Sequence, residues 1–305
     1  MKCAYCGQEA KGTKEHIISA AILDLFPECF ITFDEVRNVV HDADPMVKDV
    51  CGVCNNQRLS YIDSYAKDFV GRYFINKYDV DDSVEIEYDY SKLQKMLLKF
   101  AYNDMRSHKD DISYFDNEII HYLLNEADNT PKEYITVMGG LAVNVSPLPD
   151  AMFGNLKLRW CKNPIFYNNS TIRFINYDTG EIILNNEVGK ENFPDLKLAY
   201  VFRFNSVELI LICWDKNSKN IEMNNVVLSC QYPHTLFKSD TLVATLKVCT
   251  DELNYHHFGH VHVKWEGLFE VGRMRKLAMG EYKFKDKIDQ LWKLEEKRLK
   301  KEHSR

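Results

Sequence analysis

Four cysteines and one acid–histidine pair are the residues of this chain best suited to chemistry. Cys3-Ala4-Tyr5-Cys6 and Cys51-Gly52-Val53-Cys54 are two Cys-x-x-Cys pairs. Together they offer four thiolates, and zinc accepts that set in a closed tetrahedron that holds a fold rather than running a reaction. The stretch between the pairs is longer than in the usual zinc ribbon. Something is therefore inserted there, and the insert carries Lys14-Glu15-His16-Ile17-Ile18-Ser19. An imidazole can take a proton near neutral pH, and a carboxylate suits a hard divalent cation. Asn55-Asn56-Gln57-Arg58 follows the second pair directly, at the head of an expected helix.

Two knuckles, an acid–His pair between them and an Asn-headed helix after them resemble the HNH, or ββα-metal, endonuclease family. The resemblance is to the subgroup with two Cys-x-x-Cys zinc knuckles and covers roughly the first quarter of the chain. It implies a structural Zn2+ on Cys3, Cys6, Cys51 and Cys54. It implies His16 as general base, and Glu15 and Asn55 as holders of a catalytic Mg2+ or Mn2+. Asn56 is the alternative to Asn55, because adjacent residues are not separable by sequence. Arg58 would meet a substrate phosphate with its planar fork. Asp63, two turns on, would hydrogen-bond the histidine or a metal-bound water. The chain departs from the family twice. Glu15 stands where Asp is common, and Met46 stands where many members have the middle Asn of the motif. Asn38 and Asp49 are the nearest substitutes.

Length and composition set the frame. A chain of 305 residues accommodates two domains. No apolar run is long enough to span a membrane, and no charged start with an apolar core marks a secretory signal. Beyond the four paired cysteines, Cys29, Cys161, Cys213, Cys230 and Cys249 are scattered singly. Such thiols fit a reducing, cytoplasmic setting. The net charge of −6 argues against a basic nucleic-acid coat. In residues 267–305, however, twelve Lys or Arg meet seven Asp or Glu, and a nuclease needs only a local positive path to phosphates.

The elements that must position these residues read as α+β. A strand is expected around Thr13–Ser19 and a second over Ile31–Val40. A helix starts near Asn55, with Leu59, Ile62, Ala66, Phe69 and Tyr73 on one face. His41, Asp42 and Asp44 form a polar turn between strand and knuckle. A strand within Asp79–Tyr90, a helix from Ser91 and a helix over Tyr114–Glu126 follow. Asn103, Arg106 and His108 close the first of these helices, with no spacing that ties them to the site. From Glu133 the pattern turns to strands. These are Tyr134–Val137, Leu141–Val145, Lys157–Trp160, Thr171–Tyr177, Glu181–Leu184, Leu198–Arg203, Val207–Trp214, Asn220–Cys230, Thr241–Cys249 and His260–Trp265. His256, His257, His260 and His262 have no companion ligands of a recognisable shell. The expected organisation is an HNH-like module (1–77), a mostly helical connector (78–130), a β-rich domain (131–265) and a charged helical tail (266–305).

The functional expectation is a metal-dependent endonuclease acting on DNA, with RNA also open. The rival is a zinc-stapled module that binds nucleic acid or protein without cutting. By architecture alone, a nuclease module joined to a β-rich domain resembles bacterial restriction, phage-defence or mobile-element proteins. That analogy suggests a defence-system partner protein or a second copy of the chain, and no membrane.

Overall fold

The computed structural model describes residues 1–27, 44–79, 81–142, 158, 160, 162, 193–230 and 234–249, and the backbone of 32–34, 39–41, 159, 161, 172–176, 181–184 and 231. The side chains of Asn38, His41 and Asp42, the four histidines from His256 to His262, the expected strand His260–Trp265 and the charged tail lie outside them.

The N-terminal unit is two strands and a helix. Strand β1 (Gly12–His16) pairs antiparallel with β4 (Met46–Cys51). The insert between them holds a single helical turn, α1 (Ala20–Leu23), and a small hairpin of β2 (Thr32–Asp34) and β3 (Val39–His41). The expected second strand over Ile31–Val40 is thus two short strands. The partner of β1 is a segment the sequence did not mark.

After Cys51 the chain turns into a helix that begins wide. The N–H of Leu59 donates to the carbonyl of Cys54, five residues back, at 3.0 Å. Such a π-helical turn reorients the side chains at the head of a helix. Regular helix α2 (Ser60–Tyr73) follows and buries Ile62, Ala66, Phe69 and Val70.

The strand expected within Asp79–Tyr90 is β5 (Ser83–Glu87), and it leads into α3 (Tyr90–His108). Asp89 caps α3 by accepting from the N–H of Lys92 at 3.0 Å. Lys109, at φ 60°, ends it. Helix α3 is buried on nearly every face, because α2 and α4 (Asn117–Leu124) pack on one side and a sheet on the other. Charge inside it is matched by specific partners. Lys95 Nζ donates to the carbonyls of Asn125 and Asp128 at 2.8 and 2.6 Å.

The sheet has five antiparallel strands in the order β12-β6-β11-β10-β7. They are β6 (Ile135–Leu141), β7 (Leu158–Lys162), β10 (Leu196–Phe204), β11 (Val207–Trp214) and β12 (Thr235–Leu236). A separate hairpin joins β8 (Ile172–Asn176) to β9 (Glu181–Leu184). Strand alternation divides the central strands between two cores. Tyr200, Phe202, Phe204, Leu209 and Leu211 face the core containing α3. Ala199, Val201, Ile210, Ile212 and Trp214 face a second core with Phe193 and Leu228. Leu228 belongs to α5 (Ile221–Gln231). The sequence pattern Asn220–Cys230 suggested a strand there, and the segment is a helix laid on the sheet. Strand β13 (Val243–Lys247) returns to pair with β5. One buried cluster therefore runs from Cys3 to Leu246, across positions 77 and 130.

Candidate metal centre and acid–histidine pair

The two knuckles converge. The Sγ atoms of Cys3, Cys6, Cys51 and Cys54 all lie within 4.8 Å of one another, as the ligands of one ion must. Backbone N–H groups point at the sulfurs. Cys51 N donates to Cys3 Sγ at 3.3 Å and Cys54 N to Cys51 Sγ at 3.4 Å. Burial opposes ionisation of the Cys3 thiol, but N–H groups of Cys6, Cys51 and Tyr5 outweigh it and bring it down to about 7. Burial and the neighbouring thiols push Cys6 and Cys54 up instead. Four close thiols cannot ionise together without a cation among them. A four-sulfur cluster of this kind fits a metal ion.

Asn55 and Asn56, inseparable in the sequence, go to different places. Asn55 Nδ2 donates to Thr13 Oγ1 at 3.0 Å and to the Lys14 carbonyl at 2.9 Å. Thr13 Oγ1 has given its own proton to the Val50 carbonyl at 2.9 Å. Both partners of Asn55 therefore act as acceptors, and its Oδ1 is turned away from β1. This bond pins the helix head to the strand two residues before His16. Asn56 and Arg58 instead line an open groove of about 660 Å³ beside the cysteines, with Gln8, Lys11 and Val53. The lining of that groove includes neither Glu15, His16 nor Asn55.

Glu15 and His16 are neighbours in opposite environments. The His16 side chain is 27% exposed, with Nε2 3.6 Å from Asp44 Oδ2. Among the described side chains of the turn preceding β4, Asp44 meets the histidine. Glu15 is turned inward. Its Oε1 lies 2.7 Å from Nζ of Lys99, which is wholly buried, and the same ammonium lies 2.6 Å from Asp63 Oδ1. Asp63, expected beside the histidine or a metal-bound water, has Lys99 as its partner. Asp49 is engaged by Arg106 Nη1.

That position, Met46, lies directly across from His16 in the β1–β4 register. The side chain that holds the histidine strand comes from α3. Asn103 Nδ2 donates to the His16 carbonyl at 3.0 Å and approaches Glu15 Oε1 at 3.4 Å. Its Oδ1 accepts from Tyr5 at 2.8 Å and from Arg106 Nη2 at 2.5 Å. Every hydrogen-bonding site of this buried amide is in use. Lys99 and Asn103 are the residues the sequence did not assign. Lys99 shares a helix face with Lys92 and Lys95, so spacing alone reads it as a solvated charge.

Among the described residues, side chains of three or more His, Cys, Asp or Glu gather closely enough to share an ion in two places. One is the four-cysteine cluster and the other is Glu208, His234 and Cys249. The Glu15–His16 pair belongs to neither. No helix of the described residues is long and apolar enough to cross a membrane.

Compared with known proteins, the chain matches no family model, no curated protein and no solved structure.

Proposed function

We propose that this chain is a metal-dependent endonuclease of the HNH type that hydrolyses DNA phosphodiester bonds, with zinc on its four cysteines. The observation that carries the reading is the anchoring of Asn55 on β1 beside His16. It gives two strands and a helix, stapled by the cysteines at one end, with an accessible imidazole at the other. His16 would take the proton from the attacking water, oriented by the Asp44 carboxylate. Asn103 would fix the backbone of His16 and so the position of its ring. A magnesium or manganese ion would be held by Glu15 and Asn55 once the Asn55 amide turns its oxygen toward β1, and it would supply charge stabilisation at the phosphate. Lys11 and Arg58, on the groove beside the cysteines, would steer the backbone of the nucleic acid.

One observation favours a second reading. Glu15 is buried and already bound to Lys99, so a hard cation would have to share it with an ammonium group. A zinc-stapled module that binds nucleic acid or protein without cutting needs no such sharing.

Plasmid nicking by the purified chain, in magnesium or manganese against EDTA and beside His16→Ala, separates the two. Metal-dependent cutting that vanishes in His16→Ala is expected. DNA binding with no cutting by either protein would replace the enzyme with the binding module.

A further inference from the structure

The second donor cluster lies where the central strands β6 and β11 end, outside the knuckles, and it does not depend on the nuclease reading. Glu208 is on β11, His234 immediately precedes β12, and Cys249 follows β13. Three chain segments thus deliver one donor each, and their donor atoms lie within 4.8 Å of one another. His234 Nε2 is 3.0 Å from Glu208 Oε1. All three residues are buried, Glu208 completely.

The backbone around them is shaped to admit them. Glu208 faces Gly140 across the β11–β6 ladder. A Cβ on Gly140 would sit 2.5 Å from Cys249 Cβ and 2.6 Å from its Sγ, with His234 Cδ2 at 3.4 Å. Any side chain at 140 would therefore displace the thiol. Cys249 is held in place from the other side, its N–H donating to the Leu141 carbonyl at 2.8 Å.

We propose that Glu208, His234 and Cys249 form a second zinc site, which staples the ends of β12 and β13 to the sheet. One thiolate, one imidazole and one carboxylate suit zinc and exclude the oxygen-seeking magnesium and calcium ions. Binding requires Cys249 as thiolate and His234 with a free ring nitrogen, so occupancy should fall as pH is lowered. Arg203 stands directly across from Glu208 in the ladder. A fourth donor such as water would complete the tetrahedron.

The test is metal counting on the full chain. Mass spectrometry of the metal content should give two zinc ions per chain, falling to one in the double variant His234→Ala/Cys249→Ala. X-ray absorption of the unaltered protein needs no variant. It should show about 2.5 sulfur donors per zinc as the mean of a four-sulfur and a one-sulfur site. One zinc per chain with four sulfur donors overturns the proposal. So does a double variant that folds and keeps both ions. In either case Glu208, His234 and Cys249 are a buried ion pair beside a thiol.

Discussion

The N-terminal unit and the five-stranded sheet hold themselves together by different means. Strands β6 and β11 are buried along their whole length, and β10 is buried from Leu198 onward. Apolar side chains cover both faces, and burial of that extent is enough to order a sheet. The strands β1 and β4 carry few buried apolar residues, with Val47 and Val50 as the principal ones. What they lack in apolar area is supplied by the cysteine cluster, by the Glu15–Lys99–Asp63 ion pairs and by the amide of Asn103. The sheet strands cohere through area, while β1 and β4 reach the core shared with α2 and α3 through a few directed interactions. The second kind fails abruptly when one member is removed.

Withdrawal of zinc held by the cysteines, as proposed, should break the comparison most widely. Zinc binding of this type is worth roughly 10 kcal/mol to a small domain. Hydrogen exchange with a strong chelator, or in Cys51→Ser, should show protection lost over β1, β4 and the head of α2, while β10 and β11 stay protected. Lys99→Met comes next. It leaves Glu15 buried without its cation, at a cost of about 3–5 kcal/mol in denaturant unfolding. A neutral result would mean that Glu15 is reached by water or by another cation.

His16→Ala tests chemistry without testing cohesion. Its ring is partly exposed, so stability should move by less than about 0.5 kcal/mol, while cleavage falls by roughly 10²–10⁴-fold. Asn103→Ala sits between the two kinds of effect. Loss of its bonds should cost about 1–3 kcal/mol. It should also lower kcat roughly a hundredfold through the misplaced histidine, with DNA affinity unchanged. A fall in stability alone would reduce Asn103 to a purely structural residue.

The smallest effect belongs to helix α4. Asp116 caps α4, accepting from the N–H groups of Glu118 and Ile119. Burial raises its carboxyl, but the Lys216 ammonium and those N–H groups prevail and hold it below 3.8. A carboxyl depressed in the folded state contributes stability above its unfolded value and loses it as pH falls through the folded one. Asp116→Ala should therefore cost about 1 kcal/mol at neutral pH, with the two unfolding curves converging in acid.

Much of this was legible where the signal is local. The cysteine pairs, the face of α2 and the strand Val207–Trp214 follow from spacing and periodicity. The strand Met46–Cys51 was not legible. It mixes Lys48 and Asp49 with Val47 and Val50, and only pairing with β1 defines it. Asn220–Cys230 misled for another reason. Val226 and Val227 favour strands, yet the segment is a helix with Met223 and Val226 exposed and Leu228 seated on the sheet. The partners of Glu15 and His16 are harder still. Lys99 and Asn103 are distant along the chain, and no periodicity couples a strand near the N-terminus to a helix beyond the second knuckle.

That distance has a practical side. A fragment ending at residue 77 would keep every motif of the N-terminal unit and would still be incomplete. It would carry Glu15 into its interior with no ammonium beside it, and the His16 carbonyl would lose its donor. Anyone moving this unit onto another scaffold, or expressing it alone, should keep the chain through His108, because α3 is the wall against which the unit is built.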